Sequence, residues 1–334
     1  MAMNLLITGG AGFIGSNLLL YLHENYPEAQ FLNVDKLTYA SNPEFLAPIE
    51  KSDRYQFEQI DLADRGEVNR VVTTFHPDGV FHLAAESHVD NSITGPEPFV
   101  YSNVVGTFNL LDECRKLWDQ NGQPDQSKRF LHVSTDEVYG SLGDEGYFRE
   151  ETPYAPNSPY SATKAGSDFL VRSYHETFGM NVVTTNCSNN YGPHQHDEKL
   201  IPTVIRSALN HKPIPVYGEG KNVRDWLFVR DHCRALDMAF HKGKSGRTYI
   251  VGGHNEWKNI DLVHEICRLL DEEDGQGPEG TYASLITFVT DRPGHDQRYA
   301  IDPTRIEQEL GWQNTQDFSR DLRETVRWYI SRYK

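Results

Sequence analysis

Asn4-Leu-Leu-Ile-Thr-Gly-Gly-Ala-Gly-Phe-Ile-Gly15, running on into Ser16-Asn-Leu-Leu-Leu-Tyr-Leu22, reads as a strand, a glycine turn and the first turns of a helix. The strand is a short apolar run that stops at the first glycine. The GxxGxxG spacing meets three physical needs at once: a tight reversal, backbone approach to a pyrophosphate, and close packing of helix on strand. A second apolar run, Phe31-Leu-Asn-Val-Asp35, places an acid about 20 residues past the last glycine, where a ribose hydroxyl pair needs an acceptor. Singly, the glycines could be an ordinary capped loop and Asp35 a solvated strand end. Together, at this spacing, they point to a dinucleotide, and Asp35 favours NAD over NADP.

Further strand-like runs at 55–60 and 80–83 each follow a helical stretch, so the alternation predicts a parallel, doubly wound Rossmann sheet of the α/β class. Asp61 lies just past one run and Ala84-Ala-Glu-Ser87 just past the other, at the carboxyl ends where such sheets hold ligands. Asp61 serves equally well as a helix N-cap. Apolar residues at helical spacing, among them Phe99, Val104, Phe108 and Leu111, predict one long helix over 96–118. A second begins at Tyr160 and continues through Phe169, Leu170 and Phe178. The two fit a dimer interface and burial within one chain equally well.

After 182–186 the pattern breaks into Gly, Pro, His and Asn through His196. The chain therefore divides into a dinucleotide-binding domain, 1–186, and a smaller C-terminal α/β substrate domain, 187–334, with some later segments returning to the first. In the second part, helices are expected over 200–210 and 231–241 and strands over 214–217 and 248–251.

At 334 residues the chain can bury a core without staples, and a hydrophobic content of 38% is globular. Its formal charge of −16 disfavours nucleic acid and anionic membrane, which bind through excess Lys and Arg. No apolar run is long enough for a membrane helix, and no charged leader precedes the first strand, so a cytoplasmic location is expected. Cys114, Cys187, Cys233 and Cys267 are too far apart for a CxxC pair or a zinc knuckle, and are read as reduced and structural.

Leu131-His-Val-Ser-Thr-Asp-Glu-Val-Tyr-Gly140 ends an apolar strand in a cluster of ionisable groups. Asp136 and Glu137 alone would ordinarily be solvated acids in a turn. Twenty-odd residues on, one helical turn sets the phenol of Tyr160 and the ammonium of Lys164 on one face. With the glycine turn, this context places hydride and acid/base chemistry in one pocket. His194-Gln-His196-Asp197 could suggest a metal, but a Gly/Pro loop with no group in view to orient its imidazoles is read as a loop, and no metal is expected.

Thr8-Gly-Gly-Ala-Gly-Phe-Ile-Gly15, Asp35, Leu83-Ala-Ala and Tyr160-x-x-x-Lys164 resemble the extended short-chain dehydrogenase/reductase family. Ser134-Thr-Asp-Glu-Val-Tyr-Gly140, Asn186-Cys-Ser-Asn-Asn-Tyr-Gly-Pro193, Glu198-Lys-Leu-Ile-Pro202, Arg224-Asp-Trp and Arg292-Pro-Gly-His-Asp-x-Arg-Tyr-Ala-Ile-Asp302 are similar to its branch that converts dTDP-glucose to the 4-keto-6-deoxy sugar nucleotide and water. That branch is a set of hydro-lyases that use bound NAD and serve deoxysugar synthesis. The resemblance runs from residue 4 to past 300. Related epimerases lack the acid pair, and decarboxylases and GDP-mannose dehydratases usually carry serine at the position of Asp136. A non-catalytic NAD-binding sensor is the other rival, against which Tyr160, Lys164, Asp136 and Glu137 all argue.

The resemblance implies that Tyr160, assisted by Lys164 and the nicotinamide charge, takes the O4 proton as C4 is oxidised, with Thr135 on O4. Glu137 then takes the C5 proton, Asp136 protonates the departing C6 hydroxyl, and hydride returns to C6. It assigns the cofactor to Gly9, Gly12, Phe13, Ile14, Gly15, Asp35, Lys36, Leu37, Thr38, Asp61, Leu62, Leu83, Ala84, Ala85, Ser87, Ser102, Tyr160, Lys164 and Asn190. It assigns the sugar nucleotide to Ser87, Thr135, Asn189, Lys199, Leu200, Pro215, Tyr217, Arg224, Asn259, Arg292 and His295. Lys199, Arg224, Arg292 and His295 are to supply the local positive charge a diphosphate needs. A homodimer is expected.

Overall fold

The strands of the computed structural model, which describes residues 3–291, 296–315 and 317–334, are these in chain order: β1 (Asn4–Thr8), β2 (Gln30–Asp35), β3 (Tyr55–Gln59), β4 (Gly79–His82), β5 (Arg129–Thr135), β6 (Val182–Cys187), β7 (Asn189–Tyr191), β8 (Ile214–Tyr217), β9 (Val223–Phe228), β10 (Thr248–Val251), β11 (Glu256–Lys258) and β12 (Ile286–Val289). The helices are α1 (Phe13–Asn25), α2 (Arg65–Phe75), α3 (Val89–Thr94), α4 (Glu97–Phe99), α5 (Gly106–Leu117), α6 (Pro159–Phe178), α7 (Leu200–Leu209), α8 (Val229–Lys242), α9 (Asn259–Glu273), α10 (Thr304–Leu310) and α11 (Phe318–Tyr333).

Seven strands in the order β10-β6-β5-β4-β1-β2-β3 form a wholly parallel sheet. Most of them are buried on both faces, which is why they read as continuous apolar runs rather than alternating ones. From β1 the chain winds outward through β2 to β3, then crosses back to β4 on the other side. That reversal opens a crevice at the carboxyl ends of β1 and β4. The doubly wound arrangement expected from the alternation is therefore the one observed.

The expected helix over 96–118 differs in one respect. Its backbone is continuous from α4 to α5, but Val100–Val105 open into a π-turn that buries Ser102 and Asn103. π-turns insert one extra residue into a helical register and recur at functional sites. α6 starts on a capping box, with Ser158 and Ser161 each accepting from the other's backbone N–H and Pro159 at the first position, and stops at Gly179, whose φ is +69°.

A second apolar centre, around Ile201, Val204, Phe228, Leu262, Ile266, Leu322 and Tyr329, gathers α7, α9 and α11. Two small sheets, β11-β9-β7 and β12-β8, belong to this side. Residues 229–251 lie elsewhere: α8 joins the first core through Leu236, Ala239 and Phe240, and β10 pairs with β6. Phe240 stacks on Phe81 at 4.4 Å.

Candidate active site

The glycine turn is built by contact rather than by flexibility alone. Gly9 has φ +72°, and a Cβ on it would stand 2.8 Å from Ala84 Cα; one on Gly15 would stand 2.2 Å from the Gly9 carbonyl oxygen. Strand, turn and α1 thus close to backbone distance. Asp35 braces this turn: Oδ2 accepts from the Ala11 N–H at 3.0 Å, and Oδ1 from the Leu37 N–H at 2.9 Å and the Ser41 hydroxyl at 3.0 Å. A carboxylate has about four acceptor positions, so capacity for a further donor is left on its rim.

A buried relay ties the crevice to the π-turn. The Ala84 N–H donates to Thr8 Oγ1 (3.2 Å), which pairs with His82 Nδ1 (2.7 Å). His82 Nε2 pairs with Thr107 Oγ1 (2.8 Å), which donates to the Asn103 carbonyl (2.6 Å). Since Thr107 spends its proton on that carbonyl, His82 carries its own on Nε2 and accepts at Nδ1. Burial keeps this imidazole neutral, its pKa pushed well below the ordinary value. Asn103 exchanges hydrogen bonds with the Glu86 backbone (2.8 and 3.1 Å) and donates to Thr163 Oγ1 of α6 at 3.0 Å. The same turn offers Ser102, which accepts from Lys36 Nζ at 2.6 Å while that ammonium pairs with Glu86 at 3.0 Å.

Across the crevice, β5 ends at Thr135, whose Oγ1 caps a single 3₁₀ turn, Asp136–Tyr139, by accepting from the Glu137 N–H at 3.3 Å. Asp136 is only 2% exposed; Thr135 Oγ1 is 3.4 Å from its Oδ1, and its Oδ2 is buried with no hydrogen-bond partner among the described residues. Burial foremost, then the charges of Glu137 and Asp225, hold this carboxyl well above the usual carboxylate range. Tyr160 is buried on the first turn of α6 and hydrogen-bonds Thr135. One turn on, buried Lys164 donates to the Val133 carbonyl at 2.8 Å. A buried carboxyl, a phenol, a hydroxyl and a lysine amine thus meet around the last residues of one strand.

The second side supplies Asn190 and Lys199 to the walls, with Arg224 and Asp225 behind them. Arg224 is buried: its guanidinium donates to the carbonyls of Val223 (2.7 Å) and Asp296 (2.9 Å) and lies over the Tyr299 ring at 4.3 Å. Asp225 points the other way, accepting from the N–H groups of Gly253 and Asn255, both at 2.7 Å. The two do not form a surface pair. Asn190 holds the His232 imidazole (2.8 Å), and Lys199, at the N-cap of α7, donates to the Ser87 carbonyl at 3.1 Å.

A model of the family described as GDP-mannose 4,6 dehydratase matches residues 6–325. The chain belongs to this family. Within the GDP-mannose 4,6-dehydratase family, it is 54% identical to a probable dTDP-glucose 4,6-dehydratase of Sinorhizobium fredii, over 98% of this chain and 93% of that protein. It is 52% identical to the dTDP-glucose 4,6-dehydratase of Salmonella typhimurium with the same coverage of both. The crystal structure of the Streptomyces venezuelae dTDP-glucose 4,6-dehydratase with NAD bound superposes at a TM-score of 0.89, with 42% identity and coverage of 98% and 97% of the two chains.

One continuous cleft in this family member is lined by Gly9, Gly12, Phe13, Ile14, Gly15, Asp35, Lys36, Thr38, Asp61, Leu62, Leu83, Ala84, Ala85, Ser87, Ser102, Thr135, Asp136, Glu137, Tyr160, Lys164, Asn189, Asn190 and Lys199. Leu37 is not on its wall; it adopts φ +59° in the turn that Asp35 holds. Leu200, Pro215, Tyr217, Arg224 and Asn259 stand outside the lining, and Arg292 and His295 lie outside the described residues. Asp61 does not cap α2. That cap is Asp64, accepting from Gly66 and Glu67, while Asp61 accepts from the Ala63 N–H at 2.9 Å.

The lining also holds Ser41, Ser188, Cys187, Gln195 and Glu198, which sequence reasoning did not single out. Tyr299 stands outside the lining, under the Arg224 guanidinium; burial foremost, then the Glu137 charge, pushes its phenol up. His194 pairs with Ser16 Oγ at 2.9 Å and stacks on Phe45 at 4.1 Å. Among the described residues no three His, Cys, Asp or Glu side chains are placed to hold a metal ion.

Proposed function

We propose that this chain is an NAD-dependent dTDP-glucose 4,6-dehydratase, forming the 4-keto-6-deoxy sugar nucleotide and water. The observation that carries the reading is a buried carboxyl, Asp136, beside Glu137 and Tyr160 in the same cleft as the glycine turn, and burial raises its pKa well above the usual carboxylate range. The residues fit a bound dinucleotide: a Cβ at Gly9 or Gly15 would collide with backbone, and Asp35 keeps acceptor capacity at the cleft. NAD supplies the acceptor for two electrons from C4 and returns them at C6. Gly15→Ala is expected to cost about 1–3 kcal/mol of stability through forced overpacking and to strip nicotinamide from the purified protein, read by thermal melting and by the cofactor absorbance of the denatured supernatant.

In this reading Tyr160 takes the O4 proton and the Thr135 hydroxyl orients O4. The C4 ketone acidifies the C5 hydrogen, and Glu137 accepts it. Asp136 delivers a proton to the C6 oxygen, so water leaves rather than hydroxide, which is too poor a leaving group. Burial foremost, and then Glu137, pushes the Tyr160 phenol well above its ordinary range. Lys164 and the oxidised nicotinamide must work against that burial to free the proton. Formation of the 4-keto product from dTDP-glucose, followed by its absorbance in alkali, tests the reading; an epimerase or decarboxylase gives none.

The finer assignments belong to the same proposal. Lys199, Arg224, Leu200, Pro215, Tyr217, Asn259, Arg292 and His295 are read as the nucleotide-sugar side, and 1–186 and 187–334 as cofactor and substrate domains, with 229–251 returning to the first. A homodimer is supported by exposed apolar side chains on the flanking helices, Val100, Tyr101 and Phe169. Phe169→Glu is expected to halve the mass measured by light scattering. No described helix is long and apolar enough to cross a membrane, and four buried free thiols fit a reducing cytoplasm.

A further inference from the structure

Asp168 lies one helical turn beyond Lys164, is 5% exposed, and collects four donors. Its Oδ1 pairs with His132 Nε2 at 3.1 Å. Its Oδ2 accepts from the Ser134 hydroxyl (2.9 Å), the Tyr154 phenol (2.9 Å) and Asn186 Nδ2 (3.2 Å). The same Asn186 amide group also donates to the Thr135 carbonyl at 3.1 Å. Lys164 holds the Val133 carbonyl. Two side chains of α6 therefore hold three consecutive residues of β5, 132 through 134, and Asp168 reaches Thr135 through Asn186 of β6, immediately before the Asp136–Glu137 pair.

We infer that Asp168 is a positioning residue: through this grip it sets where Thr135, Asp136 and Glu137 stand relative to Tyr160. The inference rests on the dehydratase reading for its catalytic consequence, and on geometry alone for the positioning. A carboxylate suits the place because it only accepts, and four donors converge on it. The ionisable groups facing the pair are His132 on β5, His82 on β4, Cys187 on β6, and the phenols of Tyr154 and Tyr139. Burial holds both imidazoles down, the Cys187 thiol up at about 12, and both phenols up. Lys164 is pulled down by burial, and Asp168 is the foremost influence opposing that.

The test is Asp168→Asn, which keeps the shape, removes the charge and puts a donor among donors. With dTDP-glucose, kcat is expected to fall about 10- to 100-fold, as for a small misplacement of reacting groups, with KM little changed. The acidic limb of the pH profile moves up by about one unit, because a less charged Lys164 assists the Tyr160 phenol less. Amides of 133–137 exchange hydrogen faster while the melting temperature of the rest of the chain is retained. Tyr154→Phe keeps the carboxylate and is expected to leave the acidic limb in place. An unchanged limb in Asp168→Asn, or the same shift in Tyr154→Phe, overturns the proposal. Should Asp168→Asn fail to fold, Asn186→Ala cuts the link to the Thr135 carbonyl, and unchanged kcat with unchanged exchange at 135–137 overturns it instead. If the parent protein does not turn over dTDP-glucose, the function reading falls, and amide exchange alone decides the positioning.

Discussion

Asp136→Asn is expected to lower turnover of dTDP-glucose by roughly 10²- to 10⁴-fold, the usual contribution of a placed general acid, while leaving oxidation at C4 intact. The amide fills the same buried space beside Thr135 Oγ1 but has no proton to give to the C6 oxygen. Rapid mixing therefore shows the absorbance of reduced nicotinamide rising as in the parent, without release of the 4-keto-6-deoxy product. The pH dependence follows from the raised pKa. Burial, then Glu137 and Asp225, keeps the carboxyl protonated, so activity falls on the alkaline side as Asp136 ionises. Stability carries the same sign. A carboxyl whose folded pKa lies above its unfolded one favours the fold most below the unfolded value, and that contribution is lost as pH rises through the folded pKa. Asparagine has no such loss, so the variant is expected to melt higher than the parent at pH values where Asp136 is ionised.

Tyr160→Phe is expected to abolish the earlier step. The ring still fills its buried site at the start of α6, and the capping box of Ser158 and Ser161 is untouched, so folding is retained. With no phenol to take the O4 proton, the rate of C4 oxidation falls by roughly 10²- to 10⁴-fold, and rapid mixing shows no rise of reduced nicotinamide. The pair of variants separates the two halves of the chemistry. If Tyr160→Phe accumulates reduced cofactor while Asp136→Asn does not, the roles assigned here are reversed.

Much of this arrangement is legible in the residues. Strands buried on both faces appear as apolar runs, so β1, β2 and β10 fall within a residue or so of where the sequence puts them. Asp35, Tyr160 and Lys164 come to one cleft because each sits at a strand end or helix start that the sheet must point into it. The π-turn at Val100–Val105 has no sequence period of its own, so Asn103 was hidden inside an apparently regular helix and Ser102 was reached only through the resemblance. The His82 relay and the Asp168 hub were hidden for a different reason: their partners come from separate elements, and only the fold brings them together. Arg224 reads as a source of charge for a diphosphate because sequence cannot show that carbonyls and the Tyr299 ring surround its guanidinium. Burial also reversed one expectation about magnitude: Lys164 suggests an acidic phenol, whereas desolvation of Tyr160 drives the phenol the other way.

The most direct test of the central claim is mass spectrometry of the product formed from dTDP-glucose by the purified protein in deuterated water. Loss of one water with one deuterium retained at C5 is the predicted result, since the C5 proton that Glu137 removes is replaced from solvent. A product with the mass of the substrate, or one that has lost water without taking up deuterium at C5, contradicts the account.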